Sequence, residues 1–209
     1  MQNKLIILGA KGTAKKAIEI VEGQNLYSEI ALLDNFAPYD HVMSYPIIGK
    51  CDDFEKYVSN FTHAIVCIGD NGVRGFFIRK LIESGLTIPN IIHPRAYISR
   101  SASFGTGIFM DALSILQADS KMGDGCMLNS GAVVEHENRL GDFINMGPGA
   151  ATTGDVKIGN NTFIGANSCI INGVSIGENV VIAAGSSVIS DVPDNVMIAG
   201  CPAKIKKTI

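Results

Sequence analysis

From residue 98 onward the chain contains one histidine, set between two carboxylates in Val133-Val134-Glu135-His136-Glu137. An imidazole in that setting can accept a proton near neutral pH, and a neighbouring carboxylate can fix its tautomer and stabilise the imidazolium. Position and neighbours alone leave open that His136 is a surface residue without a role. Eighteen residues on stands Gly154 and eighteen back Ala118, two small residues that leave room for a ligand beside a base. Between His136 and Gly154 lie Asn145, Gly147 and Gly149, which offer an amide and backbone N–H groups to a carbonyl oxygen that gains charge. One histidine cannot supply the roughly three protein ligands of a catalytic zinc, so no metal is expected.

A second group of candidates lies near the amino terminus. Gly9-Ala10-Lys11-Gly12-Thr13-Ala14 follows a strand-like run and opens a helix-like one, a place where backbone N–H groups can hold an anion. Its spacing does not meet the G-x-G-x-x-G dinucleotide fingerprint. Asp34 closes the next strand-like run about 20 residues further on, where a carboxylate can accept hydrogen bonds from a ribose or a base. A structural turn and a ligand loop both remain open for these glycines.

The elements that must position these groups follow two different patterns. The first 94 residues alternate short apolar runs (Lys4–Leu8, Ile30–Leu33, Ala64–Ile68) with helix-like stretches, one ending near Val21 and one over Val73–Ser84. This predicts a small parallel sheet with helices packed on it, a Rossmann-like α/β domain over residues 1–94.

From about residue 95 a period of six takes over. Stepping from Ile98 gives Phe104, Met110, Leu116, Met122, Leu128, Val134, Leu140, Met146, Thr152, Ile158, Ile164, Ile170, Ile176, Ile182 and Val188. Only Thr152 is not apolar, where a chain of 46% apolar content gives about seven apolar residues in sixteen steps by chance, so a repeat is present. Two residues before these positions the side chains are mostly small, as at Ala102, Ser120, Ala132, Ala150, Thr162, Ser168 and Ser186.

Glycine follows the apolar residue at Gly105, Gly123, Gly141, Gly159 and Gly177, eighteen residues apart. Eighteen residues make one coil of three six-residue strands. This predicts a parallel β-helix over residues 95–209 with about five coils. The glycines are expected to stack at one corner, where tight-turn backbone angles suit them.

Composition bounds the rest. The chain has 209 residues, 18% of them charged, with a formal net charge of −3. This amount of apolar material builds a core, and without a basic run no nucleic-acid groove or membrane-surface patch is expected. Lys204, Lys206 and Lys207 form a small basic tail, read as solvated or as a phosphate contact. The five cysteines are scattered, with no C-x-x-C, which fits reduced thiols in the cytoplasm. Lys4–Leu8 is too short for the apolar region of a signal peptide, and no run reaches a membrane-spanning length.

Taken together, these features resemble the hexapeptide-repeat acyltransferases that modify sugars, the group of nucleotide-amino-sugar N-acetyltransferases and sialic acid O-acetyltransferases. The residues that carry the resemblance are Gly9-Ala10-Lys11-Gly12, Leu33-Asp34-Asn35, Ile68-Gly69-Asp70-Asn71, Ile92-His93-Pro94, Val134-Glu135-His136-Glu137 and the closing Gly200-Cys201-Pro202-Ala203-Lys204. The resemblance implies a left-handed β-helix, with His136 as general base and Glu137 orienting its ring. It implies acetyl-CoA as cosubstrate, bound between subunits of a homotrimer near Asn145, Gly154, Ala166 and Ala184. It also implies a nucleotide sugar held by the N-terminal domain through Gly12, Thr13, Asp34, Asn35 and Gly69. Two departures stand out: Gly12-Thr13-Ala14 replaces a common Gly-His-Gly, and Asn145 replaces a histidine found in some members.

The reaction expected on this ground is acetylation of the 4-amino group of a nucleotide-linked 4-amino-4,6-dideoxy sugar, in bacterial surface glycan biosynthesis. Acetylation of a hydroxyl on sialic acid or another sugar is one alternative. A non-catalytic solenoid for assembly or sugar sensing is the other.

Overall fold

The computed structural model describes residues 3–209. The chain divides into two compact units, one ending at Ile91 and one beginning at Ile92.

In the first unit, Lys4–Leu8 (β1) is buried from Leu5 to Leu8, as a strand covered on both faces must be. It pairs in parallel with Glu29–Leu33 (β2) on one side and with a strand at His63–Val66 on the other. Gly12–Gln24 (α1) connects β1 to β2 and turns Ala14, Ala17, Ile18 and Val21 toward the core, the spacing of one helical face. A hairpin not foreseen in the sequence follows, His41–Val42 (β3) and Tyr45–Gly49 (β4), with β4 parallel to β2. Counting His63–Val66 as β5, the strand order is β3-β4-β2-β1-β5.

The helix Asn71–Glu83 (α2) follows β5, and the Asp70 carboxylate accepts from the Val73 N–H at 2.8 Å as its cap. The strand expected to reach Ile68 stops at Val66. There the Cys67 N–H still donates to the Leu8 carbonyl at 2.7 Å, and the chain then leaves the sheet as a loop.

The second unit is a three-sided parallel β-helix. The rungs up to Ser187–Val188 are two-residue strands paired at eighteen-residue steps, as in Val133↔Ala151 and Leu140↔Ile158, and the last coil closes at a step of sixteen, as in Val181↔Met197. One sheet stacks Tyr97–Ile98, Ile115–Leu116, Val133–Val134, Ala151–Thr152, Cys169–Ile170 and Ser187–Val188, and a second runs from Ser103–Phe104 to Ser175–Ile176. The third contains Phe109–Met110, Met127–Leu128, Asn145–Met146, Phe163–Ile164 and Val181–Ile182. It ends in Val196–Gly200, which pairs antiparallel with Ala203–Thr208. The period-six residues from Met110 to Val188 all point inward and are at most 5% exposed, Thr152 included.

The stacked glycines serve a different purpose from the one expected. None of Gly105, Gly123, Gly141, Gly159 and Gly177 has a positive φ. Each is pressed against the corner of the next coil, so that a Cβ on Gly159 would lie 2.6 Å from the Glu178 nitrogen. Left-handed backbone occurs instead at other turn columns: Leu113, Gly131, Gly149, Asn167 and Gly185 form one, Asp119, Glu137, Asp155 and Gly173 another. Close approach, and not turn geometry, selects the Gly105–Gly177 column.

Candidate functional site

His136 sits on the turn between the first and second sheets of the β-helix, just after Val133–Val134. Its Nδ1 is 3.1 Å from a Glu137 carboxylate oxygen, and both side chains are more than half exposed. An ionised carboxylate only accepts, so Nδ1 carries the proton of the neutral ring and the lone pair lies on Nε2. Glu137 holds this place at φ 63°, a left-handed conformation that costs a side-chain-bearing residue roughly 1–2 kcal/mol. Gly154 stacks beside the ring: a Cβ there would overlap the imidazole, reaching Nε2 at 2.8 Å. The Cε1–Nε2 edge of the ring thus lies over bare backbone.

The expectation for the carbonyl-holding N–H groups needs correction. Gly147 N–H donates to Ile164 O at 2.7 Å and Gly149 N–H to Ser130 O at 3.0 Å, so both are engaged between coils. The Gly154 N–H, by contrast, meets no acceptor among the described residues, and it lies beside the imidazole. Asn145 is on the third sheet, 6% exposed, and its Oδ1 accepts from Asn129 Nδ2 at 2.9 Å. Ala166 and Ala184 lie on the turn between the third sheet and the first, stacked over Gly147 and Gly165. Within one chain, therefore, His136, Glu137 and Gly154 share one corner of the prism, and Ala166 and Ala184 share another.

In the first unit the chain ends of β1, β2 and β5 meet around a cavity of about 490 Å³. Its lining includes Gly9, Lys11, Thr13, Asp34, Asn35 and Gly69. Gly9 is required twice over, by φ 97° and by a Cβ position 2.8 Å from Cys67 O. Lys11 offers no side-chain cap to α1, so the first N–H groups of that helix are left for an anion. Asp34 does structural work as well: one carboxylate oxygen accepts from Ala10 N at 2.8 Å and the other from Phe36 N at 2.7 Å. The Tyr39 hydroxyl donates to Ala10 O at 2.9 Å and ties the same two loops together.

Gly12 is not among the lining residues, although its Cβ position is open space. The sequence did not single out Phe36, Cys51, Cys67 or Phe77, which also line the cavity. Burial pushes the Cys51 thiol up to about 11 and the Cys67 thiol up to about 12, so both remain neutral. A wider, open hollow of about 750 Å³ holds the Lys4–Glu29 ion pair. No α-helix N-terminus is among its lining residues, and the cavity at the strand ends is the better built site.

Comparisons with known proteins agree on one family. The PglD N-terminal domain family matches residues 4–81, and a hexapeptide repeat of succinyl-transferase matches residues 155–190. The acetyltransferase domain of PglB from Neisseria gonorrhoeae, solved with acetyl coenzyme A, is 31% identical, with a TM-score of 0.91 over 99% of this chain and 100% of that one. A histidine-to-asparagine mutant of perosamine N-acetyltransferase from Caulobacter crescentus, solved with CoA and GDP-perosamine, is 34% identical. Its TM-score is 0.93, over 99% of this chain and 98% of that one. This chain belongs to the hexapeptide-repeat sugar acetyltransferases.

WeeI from Acinetobacter baumannii, 21% identical with a TM-score of 0.82 over 97% of this chain and 99% of that one, shares the fold. No curated protein matches the chain in sequence. The β-helix is accordingly the left-handed one of this family. Among the described residues no helix is long and apolar enough to cross a membrane, and no group of three His, Cys, Asp or Glu side chains is placed to hold a metal ion.

Proposed function

We propose that this acetyltransferase moves an acetyl group from acetyl-CoA to the 4-amino group of a nucleotide-linked 4-amino-4,6-dideoxy sugar, in the cytoplasmic stages of bacterial surface glycan biosynthesis. The observation that carries the reading is the corner formed by His136, Glu137 and Gly154. It brings together an imidazole whose Nδ1 is held by a carboxylate, a bare backbone against the Cε1–Nε2 edge of the ring, and a backbone N–H with no acceptor among the described residues. The likeness to a perosamine N-acetyltransferase solved with CoA and GDP-perosamine supports the choice of acceptor.

Acetyl-CoA, when bound, supplies the acetyl group as a thioester. His136 Nε2 takes the proton of the sugar amine as its nitrogen attacks, and Glu137 stabilises the imidazolium that results. We assign to the Gly154 N–H the role of donor to the carbonyl oxygen as charge builds on it. His136 then returns the proton to the departing thiolate. Gly154, Ala166 and Ala184 leave the wall of the β-helix open for the long cosubstrate, and Asn145 lies buried on the third sheet with its amide oxygen held by Asn129.

Because one chain keeps the His136 corner apart from the Ala166 and Ala184 corner, a groove using both is completed by a second copy. A homotrimer with intersubunit sites meets that need. The exposed apolar side chains Leu113, Ile171 and Ile189 on the solenoid are suited to such contacts.

In the first unit the nucleotide occupies the cavity at the strand ends. Its diphosphate lies at the start of α1 by Gly12 and Thr13, its ribose and base beside Asp34, Asn35 and Gly69. Phe36, 83% exposed at the mouth, offers a ring face to the base. Calorimetry with UDP, GDP and dTDP tests this assignment. Binding of at least one, weakened by Thr13→Trp, is the expected result, and failure of all three would leave the nucleotide-linked acceptor without a site.

A further inference from the structure

Asn138 is the one amide in an interior column that otherwise runs Ala102, Ser120, Val156 and Val174 at eighteen-residue steps. It is fully buried. Its Nδ2 donates to three carbonyls: Glu135 O at 2.6 Å, His136 O at 3.1 Å and, on the next coil, Thr153 O at 2.9 Å. Its own N–H donates to Ser120 Oγ at 3.0 Å, and Ser120 Oγ in turn donates to Glu135 O at 2.6 Å. The Asn138 Oδ1 is buried and accepts nothing among the described residues.

Other interior hydroxyls show what an ordinary polar group does here. Ser120, Thr162 and Ser168 donate to the carbonyl fifteen residues ahead, and Ser114 and Ser186 to the carbonyl three residues behind. None of them reaches the carbonyl two residues behind. Asn138 does, and that carbonyl belongs to His136.

A buried amide with an orphaned oxygen opposes stability, and Val156 and Val174 show that an aliphatic side chain fits the same column one and two coils on. The solenoid itself does not require the amide. What the amide adds is a clamp on both carbonyls of the turn that carries the imidazole.

We propose that Asn138 is a positioning residue for acetyl transfer. From inside the prism it fixes the turn 135–137, so that His136 stays seated over Gly154 and in reach of Glu137. The inference rests on the reading of His136 as the base. Sub-ångström placement of such a group governs the rate of the chemical step much more than it governs binding.

The test compares Asn138→Val and Asn138→Ser with wild type and with His136→Ala. CoA thiol release is measured with a GDP-, UDP- or dTDP-linked amino sugar that the wild type turns over, together with Tm and assembled mass. A serine at 138 can keep one carbonyl bond of the kind other interior hydroxyls make, but it loses the bond to His136 O. The expected result is that both variants assemble, that Asn138→Val melts no lower than wild type, and that kcat falls between about tenfold and about 10²-fold in both. The KM for either substrate is expected to change by less than about twofold, as for an interaction made in the transition state alone.

A kcat within about twofold of wild type in either variant would overturn the proposal. So would a fall in kcat that tracks a matching loss of Tm or assembly in both. If His136→Ala itself turned over at the wild-type rate, the reading of the base would fail first, and that failure is read independently of the Asn138 variants.

Discussion

A single methyl group at position 154 tests the setting of the histidine. Because a Cβ there overlaps the imidazole, Gly154→Ala must push His136 out of its seat. Gly154 lies on a turn without positive φ, so the alanine backbone itself is unstrained. The variant is expected to fold normally and to lose about 10²-fold in kcat, read by steady-state kinetics alongside a melting curve. Turnover near wild type would mean that the ring position seen here is not the working one.

The stacking of His136 with Gly154 was legible in the sequence, because an eighteen-residue step along the chain is one coil in space. The roles of Gly147 and Gly149 were not. Whether a backbone N–H is free depends on which carbonyl the neighbouring coil presents, and the register leaves Gly154 open where Gly147 and Gly149 are engaged. Asn138 was equally hidden, since a polar residue in a column of small side chains reads like Ser120 or Thr162 until its bonds are seen.

At the scale of the element, the β-helix separates two demands that glycine usually meets together. At Gly159 the demand is space, since a Cβ would sit 2.6 Å from the Glu178 nitrogen. At Asn161, two residues on, the demand is a left-handed backbone at φ 59°, which asparagine tolerates. Gly159→Ala is therefore expected to destabilise by about 1–3 kcal/mol through overpacking, lowering Tm by roughly 2–4 °C per kcal/mol for a chain of this size. Asn161→Gly is expected to leave Tm nearly unchanged. A reversal of that order in thermal melts would return the glycine column to the turn-angle explanation.

The solenoid was readable because each rung repeats one inward residue, and the core follows that residue without exception from Met110 to Val188. The hairpin His41–Val42 and Tyr45–Gly49 was not, because its strands are short and bury little beyond Val42, and Pro46 interrupts the apolar pattern. The cavity lining was legible only in part. Glycines and Asp34 mark strand ends in sequence, but Phe36, Cys51 and Phe77 reach the cavity through the order of strands in the sheet.

At the scale of the whole molecule, the proposed reaction divides between the two units. One offers a helix N-terminus and an apolar-floored cavity, proposed for the nucleotide, the other His136, the proposed base, on the outer wall of a rigid prism. The prism is stiff because every coil is bonded to the next, and a base held on it loses little alignment to thermal motion. The most direct test of the central claim is CoA thiol release by wild type and His136→Ala with GDP-, UDP- and dTDP-linked 4-amino-4,6-dideoxy sugars. Both proteins are first checked to sediment at the same multiple of 22.2 kDa. The account predicts release with at least one amino sugar, one acetyl group gained on its nitrogen, and a kcat on the order of 10²–10⁴ lower in the variant. Unimpaired turnover by His136→Ala, or no thiol release from wild type with any of these acceptors, would contradict it.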